Sequence, residues 1–309
     1  MFLPPVTRLS PGAGYKRGMR CDLHVHTRHS GLCTIPLVGR FCRESYVDPL
    51  ALYEKLKRAG MDLVTVTDHD SIGAVEALRS KPDFFLSEEV TCTLPSGTVA
   101  HIGVYDITER DHVELQRRRD DFESLFAWLT DRNLFYSANH VFSPLTGARH
   151  ASDFDLFEAA FPAIETFNGH MMRTTNRAAA QLADRAARAE VGGSDAHTLA
   201  SAGRTWTTVP GARSMGEYLE GLRAGTGRVR GESGAWHKLT RDVLAIGAAM
   251  AREDPRTLPA ALGLGWLVPL AVLASYTAEA CFSRYWLARY RRSRASRPAA
   301  TGVTGEVMV

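Results

Sequence analysis

Short β-type segments alternate with helical segments from about residue 19 onward. Residues 21–26 alternate between apolar and polar side chains, which is the pattern of a strand with one buried face. Residues 48–59 have helical periodicity, with Asp48 as the capping residue and Gly60 as the terminator. The β-rich segment 63–67 follows directly. This order predicts a parallel sheet or a barrel that is built of βα units.

The same alternation continues to about residue 209. β-rich runs predict further strands over residues 84–90, 99–105, 134–138, 163–167 and 206–209. Regular helical stretches over residues 120–131 and 176–189 separate some of these strands. We therefore expect an α/β protein in which a flexible leader over residues 1–18 precedes one catalytic-type domain over residues 19–232.

The composition is that of an ordinary globular protein. Of 309 residues, 45% are hydrophobic and 23% are charged, which excludes a disordered or a collagen-like chain. The formal net charge of +3 is too small to indicate nucleic-acid binding, because the basic excess lies mainly in the C-terminal tail. Scattered cysteines favour reduced thiols, and the N-terminus lacks the apolar stretch of a secretory signal. We expect a cytoplasmic protein.

Residues 233–309 have a different character and are expected to form a helical, partly hydrophobic extension with an arginine-rich tail. The segment from Leu258 to Ala278 contains no charged residue and is long enough to cross a bilayer. A single span would conflict with the arginine excess, which would keep the tail in the cytosol and place the domain across the membrane. A helix on the membrane surface, or packed on the domain or a partner, avoids that conflict. We favour a helical appendage with membrane contact through residues 258–297, and we identify no protein partner.

Side chains that bind metals cluster at the ends of the predicted strands. In an extended strand Asp22, His24 and His26 point to the same side, so that two imidazoles approach one point. Neutral imidazole binds zinc, manganese and iron, although an isolated His-x-His is a weak signal. Further ligand-type residues lie at or near the ends of later strands: His69, Glu89, His101, His140, Asp195 and His197. Because the ends of barrel strands build one active site, this set predicts one metal centre.

The order of these motifs resembles that of the PHP superfamily, which is named for polymerase and histidinol phosphatase domains. The matching motifs lie within residues 20–210: Asp22-Leu23-His24-Val25-His26-Thr27, Thr67-Asp68-His69-Asp70, Glu89 before Val90, His101, His140 and Ser194-Asp195-Ala196-His197. The resemblance implies a distorted (β/α)7 barrel. It also implies two or three divalent metal ions, of zinc, manganese or iron, at the C-terminal ends of the strands.

The resemblance further implies a role for each ligand-type residue. A first metal would be held by His24, His26, Glu89 and Asp195. Glu89 would bridge to a second metal that is also held by His101 and His140. A third ion would use His69, His197 and a residue of the loop after His26, for which His29 is the candidate. Asp22 and Asp68 would orient ligand histidines through their ring N–H groups.

The resemblance implies hydrolysis of a phosphoester, with a small phosphorylated substrate or a nucleotide. Two cations that share a carboxylate can hold a water between them and lower its pKa for attack on phosphorus. Arg204 and Arg28 are the candidates for neutralising phosphoryl oxygens, with Arg204 favoured, although a surface arginine has the same sequence signal. The expected catalytic residues are thus Glu89, Asp195, Arg204 and Asp68.

Two other functions remain open from the sequence. An amidohydrolase that acts on a C–N bond also joins an early His-x-His to a late aspartate, and a scaffold domain would keep the metal without turnover. Thr67-Asp68-His69, together with a bridging Glu89 in place of a bridging modified lysine, favours phosphoester chemistry.

Overall fold

The computed structural model describes residues 18–31 and 42–295. Nearly all of the predicted leader and the end of the arginine-rich tail lie outside these ranges. Within them the strands are β1 (Met19–Cys21), β2 (Ser87–Thr93), β3 (Val99–Tyr105), β4 (Phe135–Ala138), β5 (Ala163–Asn168), β6 (Ala189–Gly193), β7 (Thr205–Val209) and β8 (Arg228–Gly231). The helices are α1 (Pro49–Arg58), α2 (Val75–Leu78), α3 (Glu109–Arg118), α4 (Phe122–Asp131), α5 (Ala151–Ala160), α6 (Arg173–Ala186), α7 (Met215–Arg223), α8 (Trp236–Glu253), α9 (Leu258–Gly265) and α10 (Val268–Ala295).

Most of the predicted elements are observed, with ends that shift by a few residues. The strand predicted over residues 99–105 coincides with β3, and Asp48 caps α1 by accepting hydrogen bonds from two backbone N–H groups. The helix predicted over residues 176–189 ends earlier than expected. Ala187 adopts the left-handed conformation, with φ of 49°, and thereby terminates α6 before β6 begins at Ala189.

The strands of the described residues form two sheets. In the five-stranded sheet, β2, β3 and β4 pair in antiparallel fashion, whereas β4, β5 and β6 are parallel. In the three-stranded sheet, β7 pairs with β1 and β8 in antiparallel fashion. The Thr207 hydroxyl joins the sheets, because it both accepts from and donates to the Gly192 backbone at 2.9 Å. The α/β class is confirmed. The seven-stranded barrel stays a prediction, since these described ladders do not close into one sheet.

Side-chain hydrogen bonds replace regular pairing in the two segments that the sequence predicts as the first strands. The Val25 N–H donates to the Thr67 hydroxyl at 3.0 Å, and the Thr27 N–H donates to the Asp68 carboxylate at 2.5 Å. Isolated bridges connect Val25 to Ala196 and His69 to Glu89. Residues beyond Cys21 therefore run as an irregular extended segment, and contacts to the segment at Thr67 and Asp68 and to Ala196 hold the histidine motif.

The C-terminal helices pack against the α/β domain. Tyr290 of α10 belongs to the largest hydrophobic core, and Trp286 packs against the same core. Glu279 of the same helix is buried and accepts hydrogen bonds from the Met172 N–H at 2.8 Å and from the Thr175 hydroxyl at 2.6 Å. A buried carboxylate with these partners fixes the helix at a defined position.

The apolar part of the extension is exposed near the junction of α9 and α10. No residue of α9 is buried, and Trp266 between the two helices is 69% exposed. Among the described residues no single helix is long and apolar enough to cross a membrane. The helices over Pro255–Gly265 and Val268–Ala295, which meet at 67°, pass the criterion of length and composition only as a pair.

We predict that Tyr290→Ala lowers the free energy of unfolding by about 3–5 kcal/mol, because it leaves a cavity in the main core. Tyr290 is 2% exposed, whereas Tyr285 on the same helix is 57% exposed, so Tyr285→Ala is the matched control. Urea denaturation measures both. Equal stabilities of the two variants would show that α10 does not dock as described.

Candidate metal centre

Glu89 lies at the centre of a group of histidines. It is fully buried on β2, and its two carboxylate oxygens face different imidazoles. Oε2 lies 3.0 Å from His24 Nε2 and 3.3 Å from His69 Nδ1, whereas Oε1 lies 3.2 Å from His140 Nε2 and 3.6 Å from His101 Nδ1. Glu89 is therefore placed between two groups of ligand-type atoms.

Asp195 provides a second buried carboxylate near Glu89. Its Oδ1 lies 3.3 Å from His26 Nε2 and 3.5 Å from His24 Nε2. His26 also stacks on His197, with 4.4 Å between ring centroids. The structure thus brings together eight of the predicted ligands: His24, His26, His69, Glu89, His101, His140, Asp195 and His197.

Three of the histidines are held through Nδ1, so that Nε2 is turned towards the acidic residues. His24 Nδ1 contacts Glu165 Oε1 at 2.7 Å, and His26 Nδ1 contacts the Ser30 hydroxyl at 2.8 Å. His197 Nδ1 contacts the backbone carbonyl of Asp195 at 2.9 Å. A hydrogen bond to one ring nitrogen orients the other as a metal ligand.

The donor set fits divalent metal ions. Several buried ring nitrogens among the described residues have no hydrogen-bond partner, including His26 Nε2, His69 Nδ1, His101 Nδ1 and His197 Nε2. Unpaired buried polar atoms are costly unless another group satisfies them. Ligand atoms form overlapping triads within 4.8 Å, such as those of His24, His26 and Glu89 and of His26, His69 and His197. Imidazole and carboxylate together suit zinc, manganese or iron.

Burial and neighbouring charged groups shift the pKa values of the side chains in the cluster. Burial raises the pKa of Glu89, but the adjacent His24, His69 and His101 outweigh this effect and lower it well below its ordinary value. Burial, together with the neighbouring His197, lowers the pKa of His26 to about 3. Glu89 is therefore an anion and His26 a neutral imidazole at neutral pH, which are the forms that bind metals.

Two of the ligand-type residues have strained backbones. His140 and Asp195 adopt positive φ angles of 31° and 51°, a region that residues other than glycine rarely occupy. The Asn168 side chain donates to Asp195 Oδ2 at 3.0 Å, and the His140 N–H donates to Glu165 Oε2 at 3.0 Å. Strain that neighbouring contacts maintain is typical of functional positions.

Glu44 lies beside this cluster, whereas His29, the predicted ligand from this part of the chain, belongs to none of the described groups of ligand-type atoms. The Glu44 carboxylate lies 3.4 Å from His69 Nε2 and 3.5 Å from His197 Nε2. His29 packs instead against Gly73. A Cβ atom added at Gly73 would lie only 2.5 Å from the Nδ1 atom of His29. The sequence did not indicate Glu44, because it lies 18 residues after His26. His29, in the positions directly after His26, was the more obvious candidate.

Asp68 and Asp22 anchor backbone turns and do not orient rings as predicted. Asp68 accepts hydrogen bonds from the Thr27 N–H and hydroxyl, the latter at 2.6 Å. Asp22 accepts from the Ser194 hydroxyl at 2.6 Å and from the Gly203 N–H at 2.9 Å. Both aspartates therefore fix the loops that carry the histidines. Glu165 and Ser30 take the orienting role, and a charged residue within the apolar strand β5 was the available signal for Glu165.

Arg204 lies outside the cluster. Its side chain is 41% exposed and contacts Glu232 Oε2 at 3.1 Å, while its Nε donates to the Ala200 carbonyl at 2.8 Å. The described contacts of its guanidinium are with Glu232 and the Ala200 carbonyl and do not include a candidate metal ligand. The alternative of a surface arginine agrees with these contacts.

Comparison with known proteins places the chain beside one family. A family model described as PHP-associated matches residues 173–226. This match confirms the predicted resemblance to the PHP superfamily. An uncharacterised protein of Methanocaldococcus jannaschii is 32% identical over 71 residues, which are 21% of this chain and 38% of that protein. The chain therefore matches well under half the length of this curated relative.

The solved structures to which this chain is similar include the following two. PsfC from Pseudomonas syringae has a TM-score of 0.52 and 18% identity, with 76% of this chain and 99% of that chain covered. The lesion-specific endonuclease EndoQ from Pyrococcus furiosus has a TM-score of 0.47 and 17% identity, with 68% and 57% covered. The similarity to PsfC shows a shared fold.

We predict that metal affinity at the Glu44, His69 and His197 position rises with pH between 7 and 9. Burial lowers the pKa of His197, but Glu44 and Asp195 outweigh this effect and raise it to about 9 in the metal-free protein. A metal binds only the neutral ring, so binding releases this proton and affinity rises by about tenfold per pH unit. Calorimetry in buffers of different ionisation enthalpy measures the number of protons that are released when the metal binds.

Glu44→Gln should weaken the binding of the metal ion at this position and reduce the number of protons that binding releases. His29→Asn is the matched control and should behave like the wild type. Weaker metal binding in His29→Asn with unchanged binding in Glu44→Gln would restore the original assignment of the loop.

Proposed function

We propose that this chain is a metal-dependent hydrolase that cleaves phosphoesters with two or three divalent ions, acting on a small phosphorylated substrate or a nucleotide. The observation that carries the proposal is the buried carboxylate of Glu89, whose oxygens face His24 on one side and His140 on the other. A carboxylate shared between two cations is the arrangement that two-metal phosphoesterases use.

The bound ions would supply an activated water and neutralise charge on the phosphoryl oxygens. The chain's own residues orient the side chains that would hold these ions. Glu165 fixes His24, Ser30 fixes His26, and Asn139 donates to Glu89 Oε1 at 2.9 Å. Burial of these groups strengthens the electrostatic interactions among them, because the surroundings have a lower dielectric constant than water.

The bridging group favours phosphoester chemistry over an amidohydrolase. In the amidohydrolase alternative a modified lysine would bridge the metals. Here Glu89 is the candidate for the shared position, since its oxygens face histidines on both sides, and the buried Lys238 donates instead from Nζ to the Gly169 carbonyl at 2.8 Å. We also infer that the isolated bridges of the extended segments around Val25 and around Val64 and His69 complete an irregular barrel of the PHP type.

We predict that Glu89→Gln reduces metal-dependent phosphate release by about 100-fold or more, because even groups that only support a ligand contribute up to about 100-fold. Glu88→Gln is the matched control, since the neighbouring Glu88 points to the other face of β2 and contacts His112 and Gln116. A screen of phosphomonoesters, phosphodiesters, nucleotides and amides with zinc, manganese or iron measures the activity.

Three outcomes of this screen would contradict the proposal. Turnover of amides alone would favour the amidohydrolase. Tight metal binding without any turnover would favour a scaffold domain. Equal loss of activity in both variants would show that the effect of Glu89→Gln comes from the stability of β2 and not from a metal ligand.

We further propose that the predicted membrane contact is made by the exposed surface of α9 and the start of α10. Leu262, Leu264, Trp266 and Leu270 are exposed there, within a stretch without charged residues. A lipid interface would bury these apolar side chains, and tryptophan is common at the level of the lipid headgroups. The cytoplasmic location stays a prediction.

Co-sedimentation with phospholipid vesicles tests this contact. We expect the chain to sediment with vesicles and Leu262→Glu to remain in the supernatant, while Leu145→Glu, at an exposed leucine elsewhere, should behave like the wild type. A wild-type chain that does not sediment would exclude the membrane contact.

A further inference from the structure

Helix α8 of the C-terminal extension contacts the loop that carries His197. Asp242 on this helix is 1% exposed. It accepts hydrogen bonds from the Thr198 hydroxyl, at 3.0 Å, and from the Ser201 hydroxyl. Thr198 directly follows His197, so Asp242 holds the backbone on the C-terminal side of this histidine.

Asp242 also contacts the ring that packs against His197. Its Oδ2 lies 3.5 Å from His170 Nε2, and His170 stacks on His197 with 5.7 Å between ring centroids and an interplanar angle of 17°. Lys238, one turn earlier on α8, donates to the Gly169 carbonyl at 2.8 Å. The loops after β5 and β6 are thus both attached to one helix of the extension.

A charged side chain at this depth requires polar partners. Burial raises the pKa of Asp242, but the contacts with His170, Ser201 and Thr198 outweigh it and lower the pKa to about 2. The group is therefore a carboxylate at neutral pH. Apart from Arg241 of the same helix, which lies 3.5 Å from its Oδ1, its partners belong to the loops beside the candidate ligands. An isolated buried charge without such partners would cost several kcal/mol.

We propose that Asp242 is a positioning residue that fixes His197 through Thr198, Ser201 and His170, so that helix α8 completes the metal centre. This inference rests on the proposed function, because it takes His197 as a metal ligand. The C-terminal extension would then support metal binding, a role that was not expected of a helical appendage.

The test is a competition titration of zinc against a chromophoric chelator, which gives the number of ions per chain and their affinities. In Asp242→Asn we expect one ion to bind about 10- to 100-fold more weakly, as for other residues that orient metal ligands. The ions at the remaining histidines should bind as in the wild type. This readout does not depend on enzymatic activity.

Arg294→Gln is the matched control for general loosening of the extension. Arg294 attaches α10 to Asp155 and Glu158 of α5 and contacts none of the candidate ligands. We expect this variant to bind zinc like the wild type. Equal weakening in both variants, or unchanged affinities in Asp242→Asn, would overturn the positioning role.

A second variant keeps the test decisive if Asp242→Asn does not fold. Thr198→Val combined with Ser201→Ala removes the same contacts from the loop side, and the same loss of one ion is expected. Unchanged zinc binding in this variant would overturn the inference. A wild-type chain that binds no zinc, manganese or iron would contradict the proposed function itself, and this inference with it.

Discussion

The candidate metal centre depends on the burial of one carboxylate among imidazoles. Glu89 has no exposure to solvent, and ionised carboxylates in such surroundings are stable only with positive or hydrogen-bonding partners. Asp195 brings a second buried negative charge to His24 and His26. In the metal-free protein the adjacent histidines balance these charges, as the lowered pKa of Glu89 and the raised pKa of His197 indicate. Divalent ions would both neutralise the carboxylates and satisfy the ring nitrogens that lack partners, so the fold and the metal are expected to depend on each other.

Much of the surrounding backbone is arranged by side chains and not by regular pairing. Asp22 holds the turn at Ser194, and Asp68 holds the turn at Thr27. Such contacts tie the first extended segment to β6 and to the segment before β2. They explain why strands that the sequence predicts as continuous are short in the structure. They also explain how residues from distant parts of the chain reach one small volume.

The sequence was informative where a ligand-type residue lies at or near the end of a β-rich run. His69, Glu89, His140 and Asp195 could be predicted because strand ends meet at one face and local patterns mark the strands. Glu44 and Glu165 could not be assigned in the same way, because their contacts to His197 and His24 depend on tertiary packing across more than 100 residues. Arg204 carried the same signal as any surface arginine, and its contact with Glu232 needed the structure. The closed barrel was expected from resemblance, and the ladders in the described residues show two sheets.

The proposed metal centre requires above all that Glu89 is shared between two metal ions. Anomalous diffraction from crystals grown with manganese or zinc measures this most directly. We predict two anomalous peaks that flank the Glu89 carboxylate, one beside His24 and His26 and one beside His101 and His140. A single peak that does not contact Glu89, or the absence of any peak at this carboxylate in crystals soaked with either metal, would contradict the account.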